Sequence, residues 1–180
     1  MRVLLIGNFS EGETLLINGQ TIKSDIIYKS MSEITQLEVL KLNTNLLKHK
    51  KKLFIKDLFS KVKKADKIII MLGINGMRYL FPIIYLLGKK YKKDIFYIVI
   101  GGWLPTFLKK NRFIKKMILN IKRVLVESKG MKYELNELKL SNVEILYNFR
   151  KIDFIPKVKS ETKDKFKLVF FSRVIKEKGV

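Results

Sequence analysis

Two kinds of apolar pattern alternate along this chain. Short unbroken apolar runs, Arg2–Gly7 (RVLLIG), Leu37–Leu42, Lys67–Leu72, Ile95–Ile100 (IFYIVI), Val124–Val126 and Val143–Leu146, read as strands buried on both faces. Between them lie longer stretches whose apolar residues recur at helical spacing. The first helix is expected from about Ile22 to Ile34, on Ile22, Ile26, Ile27, Met31 and Ile34. A very basic helix is expected over 48–64, with Leu53, Ile55, Leu58, Phe59 and Val62 as its apolar face. Further helices are expected over 76–90, kinked at Pro82, over 105–119, and from a Ser128 cap to about Leu140. Strands that alternate with helices in this way make a doubly wound parallel α/β sheet, Rossmann-like, joined by right-handed crossovers. Ligands of such sheets bind at the carboxyl ends of the strands, so the loops after Gly7, Leu72, Ile100, Val126 and Leu146 are the ones to inspect.

Composition sharpens this picture. With 180 residues, 47% of them hydrophobic, the chain has material for one ordinary core. It has no cysteine, which removes disulfides, thiolate metal sites and cysteine nucleophiles. Met1-Arg2 and the short apolar run that ends at Asn8 do not make a signal peptide. The weakly charged stretch from Ile68 to Gly88 approaches a membrane span in length, but Gly73, Asn75, Gly76 and Pro82 divide it into a strand and a helix. A cytoplasmic protein is expected.

The charge is the strongest compositional signal: 38 Lys+Arg against 16 Asp+Glu, a net +22. Such a surplus points to polyanionic surroundings, a nucleic acid or an anionic membrane face, unless lysine is simply the default surface residue. Lys48–Lys64 holds eight lysines against one acid, Asp57, and 109–123 holds five lysines and two arginines with no acid. Phe54, Phe59, Phe107 and Phe113 are interleaved with these charges. Basic faces with exposed aromatics suit an anionic membrane surface, whereas aromatics turned into the core would leave only a solvated lysine rim. No recognised nucleic-acid motif is present.

Candidate chemistry gathers at two places. Near the carboxyl end, the apolar run Lys167–Phe171 leads into Ser172-Arg173-Val174-Ile175-Lys176-Glu177-Lys178-Gly179. A strand, a basic turn and a helix start together form an anion site, with Arg173 and Lys178 as fixed cations for a diphosphate. Near the amino end, Gly12 and Gly19 flank the loop after the first strand and allow close approach to a ligand. The pair Gly101-Gly102 with Trp103 ends a central strand, where an aromatic floor could stack on a sugar ring or simply cap the sheet. No Asp-x-Asp pair offers metal ligands, and no G-x-G-x-x-G suggests a nicotinamide or flavin, so no metal or cofactor is expected. His49, among lysines, is expected in solvent. Glu11, Glu13 and Glu127 lie near strand ends, but none is singled out as a general base.

The order of these parts, with Leu146-Tyr147-Asn148-Phe149 as a hinge and Arg173 followed by Lys178-Gly179, resembles the retaining GT-B glycosyltransferases of the family-4 type. Ser172 stands where that family has glycine, Tyr147 where its hinge has proline, and the histidine common near the fourth strand end is missing. The segment Asn18-Gly19-Gln20-Thr21-Ile22-Lys23 is similar to the family's glycine-containing loop. The resemblance implies that residues 1–150 are the amino-terminal, acceptor-side domain, 151–166 a linker, and 167–180 the first strand and turn of a donor-binding domain. It implies transfer of a sugar from a nucleotide-diphosphate sugar to a glycan or lipid-linked acceptor in polysaccharide assembly. Asn18, Gly19, Gln20 and Lys23 would shape the cleft and Arg173 and Lys178 would hold the donor diphosphate. On this reading the chain is the front part of a two-domain enzyme and inactive alone. The competing reading is a basic, non-catalytic α/β module that binds nucleic acid.

Because Lys167–Phe171 is assigned to a second domain, deleting residues 160–180 is expected to leave the melting temperature almost unchanged. A loss of more than about ten degrees in a thermal scan would place the segment in the first core instead.

Overall fold

The computed structural model describes residues 1–10 and 19–149. Six parallel strands form one sheet: β1 (Arg2–Gly7), β2 (Glu38–Asn43), β3 (Lys67–Met71), β4 (Asp94–Ile98), β5 (Arg123–Val126) and β6 (Val143–Ile145). Their spatial order is β2-β1-β3-β4-β5-β6. After β1 the chain moves one way along the sheet to β2. It then crosses back over β1 to β3 and keeps that second direction to β6.

Right-handed crossovers that run in opposite directions place their helices on opposite faces. Accordingly α1 (Gly19–Ser32) packs Ile27 against Val3, Leu5, Phe9 and Met71. The other face carries α3 (Lys51–Lys64), α4 (Phe81–Lys90), α5 (Leu104–Lys110), α6 (Arg112–Leu119) and α7 (Lys129–Glu137), packed on Leu4, Ile6, Ile68, Ile70, Tyr97 and Val124. A short helix, α2 (Leu46–His49), precedes α3. The fold is the doubly wound Rossmann-like α/β sheet expected from the strand and helix alternation. From Val3 to Gly7 every residue of β1 is buried, as a strand flanked on both sides and covered on both faces requires.

Several local expectations are corrected. Helix α1 starts at Gly19, three residues before the expected Ile22, and its deepest residues are Thr21, Ser24 and Ile27, while Ile34 lies beyond it in solvent. Thr21 and Ser24 are small enough for α1 to lie very close to β1. A Cβ on Gly7 would meet Met71 Cε at 3.2 Å and Ser24 Oγ at 3.3 Å, so the missing side chain makes that contact possible.

The basic stretch 48–64 is two helices, broken at Lys50 (φ −135°, ψ 57°). The stretch 105–119 is likewise broken at Asn111 (φ −128°, ψ 72°), whose side-chain amide donates to Phe107 O at 2.7 Å. Pro82 lies within a continuous helical run, as the second residue of α4 and directly after a π-helical turn over Gly76–Leu80. The Ser128 cap is present, with its Oγ accepting from Met131 N at 3.2 Å. Among the described residues no helix is long and apolar enough to cross a membrane.

The apolar face of α3 is also corrected. Phe54, Leu58 and Val62 face the core, whereas Leu53, Ile55 and Phe59, expected there, are exposed. Phe54 (0% exposed) and Phe107 (7%) are core residues, leaving Phe59 (45%) and Phe113 (66%) as the aromatics that meet solvent beside the lysines. Phe54→Ala is therefore expected to destabilise the protein by about 3–5 kcal/mol in denaturant titration, and Phe59→Ala by less than about 1 kcal/mol. The reverse ranking would mean that the helix is rotated from the orientation described.

Candidate functional site

The reversal of direction between β1 and β3 separates the two loops that leave their carboxyl ends, and a crevice opens between them. It is a cleft of about 460 Å³, walled by Asn8 after β1, by Leu72, Gly73 and Asn75 after β3, by Asn45 after β2, and by Gln20 in the first turn of α1. Side-chain amides fix these loops. Asn43 Oδ1 accepts from Phe9 N at 3.4 Å and Asn45 N at 3.1 Å, while Asn43 Nδ2 donates to Phe9 O at 3.3 Å. The exits of β1 and β2 are thereby tied together. Asp25 accepts from both the backbone N–H and the hydroxyl of Ser10, holding the start of the next loop against α1.

On the other wall Gln20 Nε2 donates to Met71 O at 3.3 Å, and Tyr97 Oη donates to Leu72 O at 3.0 Å. Tyr97 is fully buried in the core. Burial pushes its phenol well above the ordinary tyrosine range, which keeps the proton that this bond donates. In the wall of this cleft the buried Oδ1 of Asn8 has no hydrogen-bond partner among the described residues. An unpaired buried acceptor costs about 1–3 kcal/mol, a cost that a donor entering the cleft, such as a hydroxyl, would remove.

A smaller cavity of about 260 Å³ lies at the start of α1, over the ends of β4, β5 and β6. Gly19, Ile22 and Lys23 form one side; Ile100, Glu127, Asn148 and Phe149 form the other. Lys23 Nζ and Glu127 Oε1 are 2.5 Å apart, with side chains only 11% and 22% exposed. This pair joins positions 104 residues apart and stitches α1 to the end of β5. Glu127 is thus a charge partner that holds Lys23 in place at the mouth of the cavity.

Of the residues expected at the site, Gly19 and Lys23 line the smaller cavity, where Lys23 meets Glu127, an acid not singled out from the sequence, and Gln20, the next residue after Gly19, lines the larger one. Gly101 and Gly102 are exposed in the loop after β4, where Gly101 takes φ +81°. Trp103 turns back onto its own loop: Nε1 donates to Ile100 O at 3.0 Å, and the ring meets Phe107 edge-on at 5.4 Å. It is in the wall of neither cleft. His49 is exposed, as expected. Gly12, Asn18, Glu11, Glu13, Arg173 and Lys178 lie outside the described residues, as do the linker and the terminal strand.

The sequence reading named the loops but missed Asn8, Asn43, Asn45, Gly73 and Asn75. Their signal was a cluster of asparagine and glycine at or just after the strand ends. Among the described residues no group of acidic or histidine side chains could hold a metal ion. No protein-family model, curated protein sequence or solved structure matches the chain.

The Lys23–Glu127 pair gives a direct test of this geometry. In a double-mutant cycle with Lys23→Met and Glu127→Gln, a coupling of about 1–2 kcal/mol is expected, each single variant leaving an isolated, largely buried partner. Strict additivity in denaturant unfolding would mean that the two charges do not meet.

Proposed function

We propose that residues 1–150 form the acceptor-side domain of a GT-B glycosyltransferase that transfers a sugar from a nucleotide-diphosphate sugar to a glycan or lipid-linked acceptor. One observation carries this reading: Gly19 and Lys23 share a cavity with Asn148 and Phe149. The resemblance assigns the first pair to the glycine-containing loop of the cleft and the second to the hinge, and nothing in their separation along the chain requires them to meet. The amide-rich crevice beside them supports the same reading, because sugar hydroxyls are recognised by fixed asparagine and glutamine groups in a concave site.

In this proposal Arg173 and Lys178 hold the donor diphosphate. As the bond from the anomeric carbon to the phosphate oxygen breaks, negative charge grows on the leaving group, and preorganised cations stabilise it. The acceptor hydroxyl oxygen forms the new bond to the anomeric carbon, and its proton passes to the departing phosphate oxygen. The domain described here positions the acceptor, which is where an oriented site contributes most to rate. A second reading, a basic module for nucleic acid, rests on the net charge of +22.

Saturation-transfer NMR with a panel of hexose-containing oligosaccharides separates the two. The proposal expects saturation of sugar ring protons, lost at least about tenfold in affinity in Gln20→Ala, since a site built on polar contacts discriminates strongly when one is removed. If no saccharide binds, while single-stranded RNA binds sequence-selectively and persists at high salt, the nucleic-acid reading replaces it.

A further inference from the structure

Helices α3, α4 and α6 lie in one layer on the same face of the sheet, and α4 packs against both of the others. The outer side of this layer is unexpectedly apolar. On the helical segment that ends in α4, Tyr79 (66% exposed), Ile83 and Leu86 (61%) fall at successive turns and face solvent. On α3, Ile55 and Phe59 are one turn apart and also exposed. Their flank can be oriented: on the opposite flank of α3, Lys61 Nζ donates to Lys41 O of β2 at 3.0 Å, at the sheet edge. Ile55 and Phe59 therefore point toward the α4 side. Phe113 projects from α6. Folding leaves these side chains out although the core beneath each helix is filled by its own neighbours, and exposed apolar groups gathered in this way mark an interaction surface.

The same helices carry the charge. Lys52, Lys56, Lys63 and Lys64 are exposed on α3, Lys89 and Lys90 end α4, and Lys116 is exposed on α6. Described acids on these three helices are confined to Asp57, which Lys61 already engages at 3.1 Å. We propose that this helix layer docks on an anionic lipid bilayer, with Tyr79, Ile83, Leu86 and Phe59 entering the headgroup region and the lysines contacting anionic headgroups.

Two arguments select a bilayer. A second copy of the chain would bring one lysine-rich layer against another, which charge repulsion opposes. A peptide helix needs a continuous groove, whereas these side chains project singly from three helices. A bilayer interface accepts scattered projecting aromatics and aliphatics, and lysine stems can lie flat among them with the ammonium groups at the headgroups. The surface corrects the simplest sequence expectation, since Phe54 and Phe107 are buried and Ile55, Tyr79, Ile83 and Leu86 take their place. It stands independently of the glycosyl-transfer reading, although a lipid-linked acceptor would be presented at such a surface.

Vesicle co-sedimentation of the full chain at about 0.15 M salt tests the proposal. The chain is expected to pellet with phosphatidylcholine vesicles containing phosphatidylglycerol and to remain in solution with phosphatidylcholine alone. The variant Tyr79→Ser/Ile83→Ser/Leu86→Ser keeps the net charge and alters only exposed groups. It should keep its melting temperature and lose at least about tenfold in partition coefficient. Should that variant unfold, Leu86→Ser alone should still lose severalfold. Equal partitioning of variant and parent would reduce the effect to a diffuse charge cloud and overturn the proposal. So would failure to bind the anionic vesicles, or a lipid-free dimer that the same substitutions abolish.

Discussion

The reversal of chain direction at β1 is the constraint on which the rest depends. Once β2 pairs on one side of β1 and β3 on the other, β1 becomes a central strand, and its residues must be apolar on both faces. The same reversal assigns α1 to one face and α3 to α7 to the other, and it parts the loops that leave β1 and β3. The crevice is therefore a consequence of winding, and the local sequence only decides what lines it. Here it is lined by amides, with glycines where the walls come close.

A second constraint follows from the first. Helix α1 has to cross to β2 over a face that it shares with no other described helix, and it does so at close range because Gly7 lacks a side chain. That proximity places its first turn, with Gly19, Gln20 and Lys23, at the carboxyl edge of the sheet between the two cavities. The Lys23–Glu127 pair then fixes the helix from the far side of the sheet. Topology, a missing side chain and one ion pair together bring the amino-terminal turn of α1 beside the segment that follows β6.

The strands and the order of elements were legible because parallel strands buried on both faces are written as unbroken apolar runs. Helix phase was less legible. In α3 both Phe54-Leu58-Val62 and Ile55-Phe59 are apolar stripes at helical spacing, and only packing against Leu4 and Ile68 decides which is inside. The breaks at Lys50 and Asn111 carry neither glycine nor proline; asparagine favours helix starts, but Lys50 gives no local signal. The site was half legible. Loops after strand ends could be named from topology alone, and Gly19, Gln20 and Lys23 from the resemblance. The pairing of Lys23 with Glu127 depends on contacts across 104 residues, which no local pattern records. Trp103 shows the opposite failure: a glycine pair before an aromatic suggests a platform, but the indole N–H finds its acceptor in its own loop.

The account's central claim is that ligand is received at the carboxyl edge of the sheet, around the first turn of α1. Backbone amide chemical-shift mapping of the full chain during titration with a hexose oligosaccharide tests it most directly. The account predicts that the perturbed amides cluster at Asn8, Gln20, Lys23, Gly73 and Asn148. Shifts confined to the amino-terminal end of the sheet, around Arg2, Asp66 and Asp94, would contradict it.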